Sequence, residues 1–281
     1  CLMTNTNFVT TFHGTYNFKS KLKKFYNSIM LRSKLTIAGS NFIFGHINDN
    51  YSEYLNKKKK LRVIFRGINI DYYNKKNISI LKQEKLKQDW KISSSKFIIL
   101  MPGRLTYWKG QVKFIESLNI LTEDYNFTNF QAIILGSDQG RTVYKKKLVN
   151  LVERYSLNKK VQFINHCKEM PLAYSLADVV VSASTEPEAF GRVSVEAQSM
   201  EKLIIASNIG GSNETIINEK TGFLFEAGNA NDLSKKIIRA ITMDEMSLQL
   251  MGKEGRKNVI KKFNVEKMCF STYSEYKRLL N

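Results

Sequence analysis

The chain has 281 residues, 43% of them hydrophobic, and a formal net charge of +19. That apolar content excludes a globally disordered chain and suffices for one large core or two modest ones. The longest apolar runs, at 97–101 and 179–181, are too short for a membrane-spanning helix.

In chain order, 8–12, 35–38 and 61–65 read as short strands bounded by glycines and polar turns. Between the first two, Phe18, Leu22, Phe25 and Ile29 recur at helical spacing, with Lys19, Lys21, Lys23 and Lys24 beside them. The polar stretch 73–79 reads as a linker and 80–90 as a helix. Strands and helices then alternate. Strands are expected at 97–101, 132–135, 161–163, 179–182, 203–206 and 222–225. Helices are expected at 110–121, 142–155, 169–176, 192–199, 212–218 and 231–241. Continuous apolar strands alternating with helices imply a parallel sheet covered on both faces, with right-handed crossovers. The segment 263–280 has helical spacing at Val265, Met268, Tyr273, Tyr276 and Leu280.

Doubly wound domains bind ligands beyond the carboxyl ends of their strands, so the loops there hold the candidates. After 97–101 come Arg104 and Lys109. A guanidinium fork grips phosphate in two places, a lysine adds a point charge, and the amides of a helix start attract anions. The same two residues also read as surface charges in a basic chain. After 179–182 come Pro187, Glu188, Phe190, Gly191 and Arg192, then Glu196 inside the next helix. Gly191 permits close approach to a ligand, while acidic residues near a helix start often only complement its dipole. After 203–206 stands Gly210-Gly211, which a plain turn explains equally well. There is no G-x-G-x-x-G or Walker pattern, so neither a nicotinamide enzyme nor a phosphate-loop NTPase is supported.

In this order these stretches resemble the C-terminal domain of glycosyltransferase family 4, retaining enzymes with two facing Rossmann-like domains (the GT-B fold). The matching residues are Pro102-Gly103-Arg104 with Lys109-Gly110; Ala177-Asp178 through Ser184; Glu188-Ala189-Phe190-Gly191 through Glu196-Ala197; Gly210-Gly211 with Glu214; and Thr221-Gly222. The resemblance spans roughly residues 35 to 245. The first region resembles the later half of the family's acceptor domain: His13 with Gly14, Ser40, and Arg66-Gly67-Ile68-Asn69 for the usual Asn-Gly-Ile-Asp hinge.

The resemblance implies an α/β, GT-B-like chain with a complete C-terminal Rossmann-like domain and a partial N-terminal one. The units would be a partial acceptor-side domain (1–73), a linker and helix (74–95), a nucleotide-sugar-binding domain (96–262) and a helix returning to the first domain (263–281). It implies sugar transfer from a nucleotide sugar with retention, in lipopolysaccharide, capsule or glycolipid synthesis. Arg104, Lys109, Glu188 and His13 would serve catalysis. Glu196 would accept bonds from ribose hydroxyls, a task suited to a carboxylate, and Phe190, Gly191, Arg192, Val193, Gly211 and His166 would lie near the donor. No cofactor is implied, and the lack of an Asp-x-Asp pair fits a metal-independent mechanism.

The glycine-rich start of a complete acceptor domain is missing and the chain opens at Cys1, so truncation or a split enzyme is expected, with donor binding without catalysis as the alternative. A glycoside hydrolase needs two carboxyls about 5–9.5 Å apart. The helical spacing of Glu188 and Glu196 spans about 12 Å, and a hydrolase gives no reason for the basic pair. The charge favours anionic partners, although abundant lysine, isoleucine and asparagine also fit a biased genome. A basic face at 19–34 beside an apolar stripe would suit an anionic membrane and a glycan or lipid-linked acceptor. Lysines and aromatics are not interleaved as in nucleic-acid readers, so no such partner is expected. Cys1, Cys167 and Cys269 show no disulfide or zinc spacing, which suits a cytoplasmic setting.

Overall fold

Short apolar runs meet as parallel strands at both ends of this chain. The computed structural model describes residues 6–16, 20–55 and 60–280. Within it β1 (Val9–Phe12), β2 (Leu35–Ala38) and β3 (Lys60–Val63) form a parallel sheet in the order β1-β2-β3. Side chains alternate across a strand, and the two faces differ accordingly. Phe12 and Ala38 pack with Leu31, Ile43, Ile47 and Tyr51, whereas Leu35, Ile37 and Ile64 pack with Met268 and Leu279. The predicted third strand reached residue 65; here it ends at Val63 and the chain turns toward the second sheet.

The helix α1 (Lys21–Ser28) is capped by Ser20, whose Oγ accepts from the Lys23 amide. Its predicted apolar stripe faces outward, with Leu22 78% and Phe25 44% exposed. The chain tightens into a 3-10 turn at Ile29–Arg32, and that turn carries Leu31 rather than Ile29 into the core. Phe18, Lys19 and Cys1 lie outside the described residues. A helix not anticipated from the sequence, α2 (Asn41–Tyr51), starts at Ser40 and buries Ile43, Ile47 and Tyr51. Its asparagines, aspartate and glycine are weak helix formers, so burial at four-residue spacing organises it.

The segment around Tyr73 is anchored. Tyr73 is buried, and its carbonyl accepts from Ser199 Oγ at 2.7 Å and Arg256 Nη1 at 2.9 Å. After α3 (Ile80–Asp89), the alternation is β4 (Phe97–Pro102), α4 (Gln111–Glu123), β5 (Phe130–Leu135), α5 (Thr142–Arg154), β6 (Val161–Ile164), α6 (Met170–Leu176), β7 (Val179–Ser182) and α7 (Arg192–Ser199). It continues through β8 (Leu203–Ser207), α8 (Ser212–Thr215), β9 (Phe223–Phe225) and α9 (Ala230–Thr242). The parallel sheet has the order β6-β5-β4-β7-β8-β9. One buried apolar layer lies under α4, α5 and α9, and another under α6 and α7.

The helix expected at 212–218 stops after one turn because the Thr215 carbonyl accepts from Gln198 Nε2 at 2.9 Å and Asn258 Nδ2 at 3.0 Å. Asn258 belongs to α10 (Glu245–Lys262), which buries Gly252, Gly255, Asn258 and Val259 against α7. Small and polar residues on the packed face leave no apolar period to read. The last helix, α11 (Val265–Leu280), passes so close to Gly67 that a Cβ there would stand 2.4 Å from the Val265 Cα. It presents Met268, Glu275 and Leu279 inward, while Tyr273, Tyr276 and Leu280 from the predicted stripe are exposed. Buried Glu275 faces Arg62 and Arg278, which supplies its charge balance. Among the described residues no helix is long and apolar enough to cross a membrane.

Candidate functional site

The site is assembled by loops that glycines allow to touch. After β4, the Gly103 amide donates to Leu135 O at 2.8 Å and the Leu105 amide to Ser137 O at 3.0 Å. This ties the Arg104 loop to the end of β5. Gly110, at φ +76°, lies so near the end of β7 that a Cβ would stand 1.8 Å from Ala183 O. The Thr185 amide donates to Trp108 O at 2.8 Å. Loops after two neighbouring strands are thus stitched together, and this brings Lys109 to Glu188. Their ion pair is 2.7 Å long, with the side chains 13% and 10% exposed. Glu188 Oε1 also accepts from Ser184 Oγ at 2.6 Å, and the Lys109 ammonium lies 4.4 Å from the Trp108 ring centre.

Gly191, at φ +80°, starts α7 and turns Arg192 and Glu196 toward the same space. Glu196 is buried yet both of its oxygens are engaged: Tyr174 OH donates to Oε2 at 2.8 Å and Arg192 Nε to Oε1 at 2.7 Å. Burial, reinforced by the Glu196 charge, pushes the Tyr174 and Tyr73 phenols well above their ordinary range, so both stay protonated donors. The hydrogen bond it donates to Glu196 raises the Arg192 guanidinium, which stays charged.

Together these groups line a cavity of about 540 Å³. Arg104, Lys109, Glu188, Phe190, Gly191, Arg192, Val193, Glu196 and His13 all border it. Two expected residues do not. His166 is exposed beyond β6 and outside the lining, because the chain there turns outward to solvent. Gly211 stands behind the loop rather than facing the cavity. Its amide donates to Glu188 O at 2.7 Å, and a Cβ would meet the Phe190 Cα at 2.5 Å.

The first sheet closes the cavity from the other side. Arg66 Nη2 contacts His13 Nδ1. Burial, then the Arg66 charge, holds the His13 imidazole below its ordinary value. Ser40 Oγ donates to Ala189 O at 2.5 Å, and Glu214 caps α2 by accepting from the Asn41 amide at 2.8 Å and the Phe42 amide at 2.5 Å. Sequence reasoning missed Tyr174 and Ser184 as site residues. Tyr174 reads as an ordinary apolar-face residue of α6, and only its contact with Glu196 shows otherwise.

Comparison with known proteins follows the same lines. The family model described as "Glycosyl transferases group 1" matches residues 82–258. Capsular polysaccharide biosynthesis glycosyltransferase CapM of Staphylococcus aureus is 30% identical over 203 residues, covering 71% of this chain and 51% of that protein. Putative glycosyltransferase EpsD of Bacillus subtilis is 26% identical over 69% of this chain and 49% of its own length. The chain therefore spans about half the length of these curated relatives. A glycosyltransferase structure from Rickettsia africae superposes with a TM-score of 0.91 at 36% identity, covering 100% of this chain and 72% of that one. Anabaena Alr3699/HepE in complex with UDP and glucose gives a TM-score of 0.86 at 23% identity, covering 99% of this chain and 73% of that one. The fold is the expected GT-B type.

Proposed function

The chain belongs to the group 1 glycosyl transferases, and from that premise we propose that it binds a nucleotide-sugar donor and serves a sugar transfer with retained configuration, as in family 4. The observation that carries this is one cavity holding Arg104, the nearly buried Lys109–Glu188 ion pair and the Glu196 carboxylate held by Tyr174 and Arg192. Arg104 grips the diphosphate. Lys109 orients Glu188 and adds positive charge where the leaving diphosphate becomes more negative. Removing one such preorganised donor costs about a hundredfold or more in turnover. These cations take the part a divalent ion plays elsewhere, so the mechanism is metal-independent.

Glu196 holds the ribose hydroxyls while Tyr174 fixes its far oxygen; Arg192, its side chain 72% exposed, yields the near one. Glu188 and the amides around Phe190–Val193 face the donor sugar. The capsular polysaccharide role of CapM supports a glycan or lipid-linked acceptor in cell-envelope synthesis. The exposed Leu22, Phe25 and Tyr26 beside Lys21 and Lys23 support peripheral contact with the inner face of an anionic membrane. Replacing Lys21 and Lys23 by glutamine should reduce binding to phosphatidylglycerol vesicles, and unchanged binding refutes that contact.

Calorimetric titration with UDP-, GDP- and ADP-sugars tests the main reading. One donor class should bind, with affinity lost in Glu196→Ala and Arg104→Ala. If no donor binds, the reading fails. A second reading, donor binding without transfer, is favoured by the three-stranded first sheet among the described residues. Bound donor with no sugar released to any acceptor selects it.

A further inference from the structure

A second cavity, of about 380 Å³, adjoins the donor cavity, shares His13, Arg66, Phe190 and Arg192 with it, and opens where the ends of β1, β2 and β3 face Phe190 and α11. Ile37, Ile64 and Phe190 give it an apolar wall, while His13, Arg66 and Arg192, with Thr11 and Thr272, supply its polar side chains. Among the described residues that line it there is no aspartate or glutamate. Arg66 makes no ion pair with any described carboxylate. It is half-buried, and its only side-chain hydrogen-bond partner among the described residues is the His13 imidazole. Arg192 is paired with Glu196 through its Nε and also interacts with Tyr73, and its charge still reaches Arg66. A partly desolvated guanidinium without a counter-charge is unfavourable. Arg66 is such a group, and beside a second guanidinium and an imidazole on an apolar wall it forms a receptor for an anion attached to a carbon skeleton.

We propose that this cavity binds an acidic substituent, a carboxylate or a phosphate ester, carried by the sugar acceptor, with Arg66 as its main ligand and Arg192 and His13 beside it. The acceptor's body lies along Ile37 and Ile64, and its acidic group points between the two arginines. The depressed basicity of Arg66, caused by burial first and Arg192 second, agrees with a guanidinium that has a cation near it and no carboxylate of its own. At this position the sequence departs from the asparagine of the family's hinge pattern, so the site is a property of this chain's own residue. The inference rests on the sugar-transfer reading only for calling the ligand an acceptor; the anion site itself stands on the cavity.

The test is calorimetry on the protein saturated with UDP, so that the diphosphate position is filled, using glucose 6-phosphate, glucuronate and glucose as probes. Both acidic probes should bind at least about tenfold more tightly than glucose, the scale of one charge-assisted bond. Arg66→Gln should abolish that preference, and Arg66→Lys should keep part of it, which separates recognition from misfolding. Equal affinities for acidic and neutral probes overturn the proposal, as does a preference that survives Arg66→Gln. UDP-glucuronate and UDP-glucose form a separate arm. If Arg66→Gln alters only their ratio and leaves the acceptor probes untouched, the acidic group belongs to the donor and the proposal fails. If UDP itself does not bind, the sugar-transfer reading fails on its own, and the acidic probes titrated without it still report on Arg66.

Discussion

Gly211 offers the sharpest test of how the donor loop is held. A methyl group there would stand 2.5 Å from the Phe190 Cα, 2.6 Å from its carbonyl carbon and 2.7 Å from its nitrogen, where ordinary contact begins at 3.4 Å. These are backbone atoms, so no rotamer change relieves the clash, and the loop must move by about 1 Å. That loop carries Glu188 on one side of Phe190 and the start of α7 on the other. Displacing it breaks the 2.7 Å bond from the Gly211 amide to Glu188 O and shifts the Lys109–Glu188 pair. Overpacking of this kind costs about 1–3 kcal/mol of stability, and a misplacement of about 1 Å at a reacting group costs about a hundredfold in turnover. Gly211→Ala should therefore melt at a lower temperature yet remain folded, and should bind the nucleotide sugar at least about tenfold more weakly by calorimetry. Gly14→Ala is the control, since nothing lies within 4 Å of a Cβ there. A folded Gly211→Ala protein with native donor affinity would refute the buttressing role.

Other perturbations separate the remaining contributions. Lys109→Met leaves a nearly buried Glu188 carboxylate without its cation and should cost about 3 kcal/mol. Adding Glu188→Gln should recover part of that loss, and chemical denaturation of the four proteins reads the cycle. Gly45→Ala lies mid-helix in α2 with open space around its Cβ and should stabilise by about 0.5–1 kcal/mol, seen as a higher melting temperature. His13 should titrate below its ordinary 6.5, and Arg66→Gln should move it upward in an NMR titration. A base depressed in the native state takes up protons on unfolding. Its contribution is therefore complete above pH 6.5 and is lost as pH falls through the native value. In the native protein, stability should fall on acidification below 6.5, and less steeply in His13→Gln.

Much of the second sheet was legible because its strands are continuous apolar runs and its loops end in glycine. Glu188, Lys109, Arg104 and Glu196 were readable as candidates for the same reason. Elsewhere the signal was absent or misleading. Helix α10 packs through Gly252, Gly255 and Asn258, which carry no hydrophobic period, and its role behind α7 depends on a tertiary contact. The stripe of Leu22 and Phe25 has helical spacing yet faces outward, since periodicity identifies a face but not what covers it. Gly211 was readable as a close-approach glycine, but whether ligand or backbone approaches it is a three-dimensional fact. The pairing of Glu196 with Tyr174 joins residues 22 apart, and no local pattern announces it.

Glu214 sits three residues beyond Gly211, and its carboxylate holds the first amides of α2. The glycine that supports the donor loop and the carboxylate that steadies the opposing unit therefore share one short turn of chain. A movement of the first sheet pulls on that turn and, through it, on Phe190 and Glu188. A ligand that shifts one side through this turn would change affinity on the other, and linkage would make the effect equal in both directions. The Glu214 carboxylate, with the Ser40 hydroxyl on the Ala189 carbonyl, thus makes the two units mechanically continuous at the edge of the cavity.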